Sequence, residues 1–247
     1  MGSSSSSSAA PPPHRDSAVS NDALQIPALN RLASKRVVLA SASPRRAQIL
    51  ASIGLHPEII PSNFAEDLPK SDYAGEAAYE YPVATSSHKA VEVYQRLIKQ
   101  DPNDPPELVI SADTVVLDAS DNILEKPIDR DDNLRMLQEL NGKKCHVITG
   151  VTIVYPILQA PGYEVKSLSE KTAVHFADNE LSLLQAYVQH GEGLDRAGGF
   201  AIQGHASVLI RAIAGDYNNV VGFPLFSFIT FLNELVQDEA IGMDDDD

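Results

Sequence analysis

The stretch Val37-Val38-Leu39-Ala40-Ser41-Ala42-Ser43-Pro44-Arg45-Arg46-Ala47-Gln48-Ile49-Leu50 decides how this chain is read. Val37 to Leu39 is an apolar, largely β-branched run, which predicts a buried strand. Ser43 offers an N-cap, and Pro44 suits the first helical position, where a missing N–H costs nothing. The predicted helix carries Ala47, Leu50 and Ile53 on one face and stops at Gly54. Arg45 and Arg46 fall in its first turn, the positive end of the helix dipole, where cations are unfavourable. An anion held at that N-terminus resolves the conflict. Backbone N–H groups, the Ser41 and Ser43 hydroxyls and two guanidinium forks would converge on it, which is the chemistry of a phosphate site.

Composition limits what surrounds this motif. A chain of 247 residues makes one large domain or two small lobes, and 43% hydrophobic residues supply a sizeable core. Lys and Arg total 19 against 34 Asp and Glu, a net charge of −15. Such a field disfavours nucleic-acid polymer, although a small polyanion can bind where cations are concentrated locally. The single cysteine, Cys145, excludes an intramolecular disulfide and fits a reducing compartment. No apolar run is long enough to cross a membrane, and the N-terminus lacks the apolar core of a signal peptide. The expectation is a cytoplasmic protein with no membrane partner. Met1-Gly2 with Ser6 matches a loose myristoylation pattern that any serine run satisfies.

Residues 1–34 are Ser-, Ala- and Pro-rich and read as a disordered tail, the folded domain as 35–237, and 238–247 as an acidic disordered tail. Removing residues 1–33 is therefore expected to leave the melting temperature unchanged. Within the domain, strands are expected at Glu58–Ile60, Leu108–Leu117, His146–Tyr155, Glu164–Phe176, Phe200–Gln203 and Val208–Ile213. Helices are expected at Tyr81–Lys99, Asp129–Leu140, Asn179–Gln189 and Leu225–Val236. Residues 63–79 read as a polar, irregular connection. The elements intermix without strict βαβ alternation, which argues for an α/β fold with a mixed sheet.

Asp113 interrupts an apolar strand, where a carboxylate is expensive to bury without a partner. Lys89 lies on a helix among Ala and Val, Lys126 precedes Pro127 in a short extended segment, and Glu66 lies in a loop. None of these three is diagnostic alone. Zinc-protease, C-x-x-C and P-loop patterns are absent from the sequence, and the seven histidines have no zinc spacing.

Taken in order, the motifs closely resemble the Maf family of nucleoside triphosphate pyrophosphatases. Leu39-Ala40-Ser41-Ala42-Ser43-Pro44-Arg45-Arg46 resembles the family's opening motif, and Ala112-Asp113-Thr114-Val115-Val116 its A-D-T-x-V segment. His88-Lys89-Ala90 and Glu125-Lys126-Pro127 resemble its K-A and K-P elements. The runs Leu194 to Gly204 and Gly215 to Leu225 resemble its D-K-A-G…I-Q-G and closing G-x-Y-x-x-V-V-G-L-P-L. Arg196 departs from the usual lysine, Gly193 stands where proline is common, and the loops at Pro102–Pro106 and Tyr155–Tyr163 are expanded. The resemblance implies a twisted mixed sheet in two lobes with a central cleft, Maf/ITPase-like. It also allows a homodimer, whose contacts the expanded loops would alter.

The activity so implied is hydrolysis of a nucleoside triphosphate to monophosphate and pyrophosphate. Asp113 would be the general base, with Lys89 and Lys126 neutralising charge. Ser41, Ser43, Arg45, Arg46, Thr114, Asp195 and Gln203 would bind substrate. Glu66 and Asp113 would hold Mg²⁺ or Mn²⁺. The amide of Gln203 offers a donor and an acceptor, matching the edge of uracil or thymine. Within the resemblance, I-Q-G together with Arg45 and Thr114 goes with dTTP and UTP, where a sister branch prefers 7-methylguanosine triphosphate. The alternative is a non-catalytic nucleotide-binding regulator of cell division, which would use the same phosphate site and need no base.

Overall fold

A computed structural model describes residues 17–73 and 75–238. In chain order its elements are α1 (Pro27–Leu32), β1 (Val37–Leu39), α2 (Pro44–Ala51), β2 (Glu58–Ile59), α3 (Tyr81–Gln100), β3 (Leu108–Leu117) and β4 (Ile123–Leu124). They continue as α4 (Arg130–Leu140), β5 (Lys144–Pro156), β6 (Tyr163–Phe176), α5 (Leu181–His190), β7 (Ile210–Ala214), α6 (Tyr217–Val221) and α7 (Leu225–Gln237). Short 3₁₀ turns fill Lys70–Tyr73 and Gly75–Tyr79 in the connection expected to be irregular.

Among the described residues the strands form one open, seven-stranded mixed sheet, ordered β2-β1-β3-β5-β6-β7, with β4 on β3. β1 pairs in parallel with β2 and β3, and the remaining ladders are antiparallel. The β1 run is uninterruptedly apolar because both faces of the sheet are covered there. Val37 and Leu39, with Leu108 and Ile110 of β3, pack towards α2 and α7. Val38 and Val109 face the opposite way, against Ala90, Val93 and Leu97 of α3. A second core lies around the far end of β3, where Val116, Val147 and Val174 meet Leu137 of α4 and Leu184 of α5.

The edge of β3 is interrupted between these two cores. Its ladder with β1 ends at Ile110, which accepts a last bond from the Ala40 N–H at 2.7 Å, and its ladder with β4 begins at Val116. Among the described residues, the stretch between them pairs only with β5. Asp113 and Thr114 lie in that gap. Asp113 is opposite Gly150 of β5, where a Cβ would stand 2.4 Å from the backbone N of Val83. Gly150 thus lets α3 rest directly on the sheet behind Asp113.

Two expectations are corrected. Residues 17–34 are not a disordered tail. Val19 bridges Leu55, the His56 N–H donates to Ala18 O at 2.7 Å, and Ala28, Leu29 and Leu32 of α1 are fully buried in the core that contains Phe228 and Leu232 of α7. Six residues of helix are too few to show a period, which hid α1 among Ser, Asn and Pro. Residues 1–16 and 239–247, the rest of the two expected tails, lie outside the described residues.

Phe200–Gln203 is not a strand. Gly198 and Gly199 both take positive φ, at 66° and 74°, and the chain then turns so that the Gly204 N–H donates to Ala201 O at 3.0 Å. Phe200 is buried edge-on against Phe176, with ring centroids 5.1 Å apart, so its apolar character reflects packing and not a ladder. The strand expected from Val208 begins at Ile210, after a 3₁₀ turn.

The docking of α1 sets a stability expectation opposite to that for a tail. Leu29→Ala should lower the unfolding free energy by about 2–5 kcal/mol, as for other fully buried leucines. Urea denaturation of the full chain measures it, and a wild-type midpoint would mean that α1 contributes nothing to the core.

Candidate active site

The gap in β3 opens into a cleft of about 780 Å³. It is lined from both sides by residues of the phosphate motif, of α3, of the Glu125-Lys126 segment and of the loop from Asp195 to Gln203. The expected site residues are therefore brought together in one cavity, with different engagements.

On one wall, Ser43 has the extended backbone of an N-cap, and Pro44 begins α2. The first intrahelical bond is Ala47 N–H to Ser43 O at 3.5 Å, so the Arg45 and Arg46 N–H groups precede the ladder. The Ser43 hydroxyl makes no capping bond. Ser41 Oγ accepts from the Ser43 N–H at 3.2 Å and from Arg46 Nη1 at 3.0 Å. Arg46 also donates from Nε to Gly222 O at 3.0 Å and from Nη2 to Thr114 Oγ1 at 3.2 Å. Thr114 Oγ1 in turn lies 2.9 Å from Thr149 Oγ1. Arg46 therefore bolts the motif to β3 and to the end of α6. Burial pushes its guanidinium below the ordinary arginine value, and the charges of Asp113 and Glu66 oppose that shift.

On the opposite wall, α3 turns Tyr81, Thr85 and Lys89 into the cleft at four-residue spacing. Lys89, only 6% exposed, holds Asp113 Oδ1 and Glu66 Oε1, each at 2.8 Å. Glu66 reaches it from a left-handed backbone, φ 54°, which is unusual outside glycine. The Tyr81 hydroxyl donates to Glu125 Oε1 at 3.0 Å, and its pKa is pushed up by burial and then by Glu125. Lys70 pairs with the other oxygen of Glu125.

At the mouth, Lys126 Nζ lies 2.8 Å from Asp195 Oδ1. That bond is the first cause holding the Asp195 carboxyl below its usual value, with Arg196 and Arg45 adding to it. Gln203 lines the same cavity from the turn that follows the paired glycines.

Sequence reasoning missed Tyr81, Thr85, Glu125 and Gly222 as site residues. The first two were visible as a polar stripe ending in Lys89, at the helical repeat. Gly222 acts through a backbone carbonyl, which leaves no trace in residue type. Among the described residues, no group of three or more His, Cys, Asp or Glu side chains forms a metal-ligand set. The two carboxylates that do converge, Glu66 and Asp113, already share one cation, the Lys89 ammonium.

A cleft that pairs a helix N-terminus and arginines with a lysine-bridged carboxylate pair has donors that a small polyanion could engage. The chain belongs to the Maf family: residues 36–235 match the model of the Maf-like protein. It is 41% identical over 224 residues to the dTTP/UTP pyrophosphatase of Schizosaccharomyces pombe, covering 88% of this chain and 91% of that one. It is 43% identical over 211 residues to the human probable bifunctional dTTP/UTP pyrophosphatase/methyltransferase protein, covering 85% of this chain. The match spans 33% of that longer human protein. The dTTP/UTP pyrophosphatase of Saccharomyces cerevisiae is 37% identical, over 76% of this chain and 85% of its own.

The role of Arg46 as a bolt is testable. Lysine cannot present a fork to Ser41, Thr114 and Gly222 together. Arg46→Lys should therefore cost about 1–3 kcal/mol in unfolding free energy, from acceptors left without donors. An unchanged denaturation midpoint would show that these bonds carry no net stability.

Proposed function

We propose that this chain hydrolyses nucleoside triphosphates, dTTP and UTP in preference, to the monophosphate and pyrophosphate. The observation that carries the reading is the Asp113 carboxylate. It sits in the unpaired stretch of β3, bound to Lys89, facing the N-terminus of α2 across one cavity. A binding protein needs the cations but has no use for a carboxylate at that place, which favours the enzyme over the non-catalytic regulator.

The substrate's phosphates lie against Ser41, Ser43 and the free N–H groups of α2, with Arg45 beside them. Arg46 keeps that cradle in register with Thr114. Asp113 takes the proton of the attacking water as its oxygen bonds to phosphorus and pyrophosphate leaves. Lys89 and Lys126 offset charge that develops on the phosphate oxygens, a preorganised electrostatic role. Glu66 and Asp113 suit Mg²⁺ or Mn²⁺, because both already turn one oxygen to a single cation and such ions take few protein carboxylates beside substrate oxygens. When bound there, the ion would neutralise phosphate oxygens. Gln203, on the cavity lining, pairs its amide with the donor and acceptor edge of uracil or thymine.

Pyrophosphate release from a panel of nucleoside triphosphates, with Mg²⁺, Mn²⁺ or neither, tests the reading. The expected order is dTTP and UTP well above ATP, GTP and CTP. Preference for 7-methylguanosine triphosphate would overturn the base assignment, and no turnover at all would favour the binding protein. Asp113→Asn should keep nucleotide binding while reducing turnover by about two to four orders of magnitude. A wild-type rate would remove Asp113 from the mechanism. Losing a paired polar contact to the base costs about 1–3 kcal/mol, so Gln203→Ala should narrow the UTP/CTP ratio by about tenfold or more. An unchanged ratio would place base reading elsewhere.

A further inference from the structure

The cations of the cleft divide into those already answered by fixed partners and those that are not. Lys89 is held between two carboxylates, and Arg46 by Ser41, Thr114 and Gly222. Arg45, Lys126 and Arg196 remain, and one carboxylate, Asp195, serves all three. Lys126 Nζ is 2.8 Å from Asp195 Oδ1, and Arg196 Nη1 is 3.4 Å from Oδ2 and 3.0 Å from the Asp195 carbonyl oxygen. Arg45 lies within Coulombic reach of both Asp195 and Arg196. Three cations against one anion leave two positive charges unmatched within this cluster.

Arg196 supplies an independent sign of the missing partner. Its Nε is buried and has no acceptor among the described residues. A buried guanidinium N–H without an acceptor is costly, and oxygen anions fit its fork well. Like charge also acts between Arg45 and Arg196, which line the same cavity. After burial, Arg196 is the largest cause pushing the Arg45 guanidinium below its ordinary value. An anionic group between the two arginines removes that repulsion and supplies the acceptor.

We infer that Arg196 is a substrate-binding residue which, with Arg45 and Lys126, grips the pyrophosphate end of the triphosphate. This rests on the pyrophosphatase reading of the cleft and gives that reading a leaving-group site. Asp195 has the place of an internal counter-ion: it keeps Lys126 and Arg196 gathered at the mouth, and phosphate oxygens compete with it for them. The division of labour is then spatial. The Lys89 cluster faces the reacting water, and the Arg196 cluster holds what departs. Arginine suits the second task because its planar fork binds two oxygens at once.

The test is titration calorimetry of inorganic pyrophosphate and, separately, of UMP into the full chain. Arg196→Gln and Arg196→Lys are compared with wild type, and thermal denaturation checks each fold. Arg196→Gln should weaken pyrophosphate by about 10- to 100-fold, the worth of bonds between charged groups, while UMP affinity stays within about twofold. Arg196→Lys should recover part of the loss, because it restores the charge and not the fork. Unchanged pyrophosphate affinity in Arg196→Gln overturns the inference. So does an equal loss for pyrophosphate and UMP, which would mark a residue that only shapes the cleft. Calorimetry needs no turnover, so a wild-type chain that binds pyrophosphate through Arg196 but hydrolyses no triphosphate would sink the enzymatic reading and leave this one standing.

Discussion

A carboxylate in the middle of a long apolar strand has to be answered by a cation, and the Lys89 ammonium answers Asp113. Both are largely withdrawn from water, so neither tolerates the loss of the other: removing one partner of a buried pair typically costs about 3–5 kcal/mol. The pair itself adds little net stability over well-packed apolar residues. Its presence is therefore a poor way to hold a sheet together and a good way to hold a charge at a chosen point. The sheet accommodates it by leaving the adjoining edge of β3 open, with β1 ending before it and β4 starting after it. The cleft is the space which that interruption creates.

The rest of the architecture follows from bringing partners to that gap. Gly150 lets the backbone of α3 lie against β5, which sets the reach of Lys89. Arg46 performs the matching task on the other face of the same strand. It binds Thr114, the neighbour of Asp113 whose side chain points the opposite way, and joins it to the Ser41 turn and to Gly222. Alternation along one strand thus presents Asp113 to the lysine cluster and Thr114 to the arginine bolt. Arg46 is thereby withdrawn from the set of freely placed cations.

How much of this was legible depended on whether the signal was local. The strand, turn and helix from Val37 to Ala51 could be read directly, because periodicity, Pro44 and the misplaced arginines agreed. Asp113 was visible as a conflict between charge and apolar context. Lys89, Lys126 and Glu66 carried no such conflict and became readable only through their order along the chain. The docking of α1 on α7 was hidden because its information is tertiary: Leu29 and Leu32 find their partners about 200 residues away in sequence. Phe200–Gln203 misled for the opposite reason. Three apolar residues in a row satisfy a local strand rule, while Gly198 and Gly199 at positive φ turn the chain away from any ladder.

The acidic composition of the chain and its cationic cleft belong to one design. A net charge of −15 gives the chain an acidic overall balance, against which the cations of the cleft stand out. Five of its cations, Arg45, Arg46, Lys89, Lys126 and Arg196, line the cleft, and low-dielectric walls strengthen most the contacts of the buried Lys89. Yet the cleft is not uniformly positive. Lys89 carries two carboxylates, and the mouth keeps Asp195 among Lys126 and Arg196. A site of bare cations would hold a triphosphate and its pyrophosphate product with equal tenacity, which lowers KM and then slows release. On the proposed reading, the internal carboxylates compete for the same cations once the phosphates separate. On that reading, the arrangement favours an intact triphosphate, which can satisfy both clusters together, over fragments that each satisfy one.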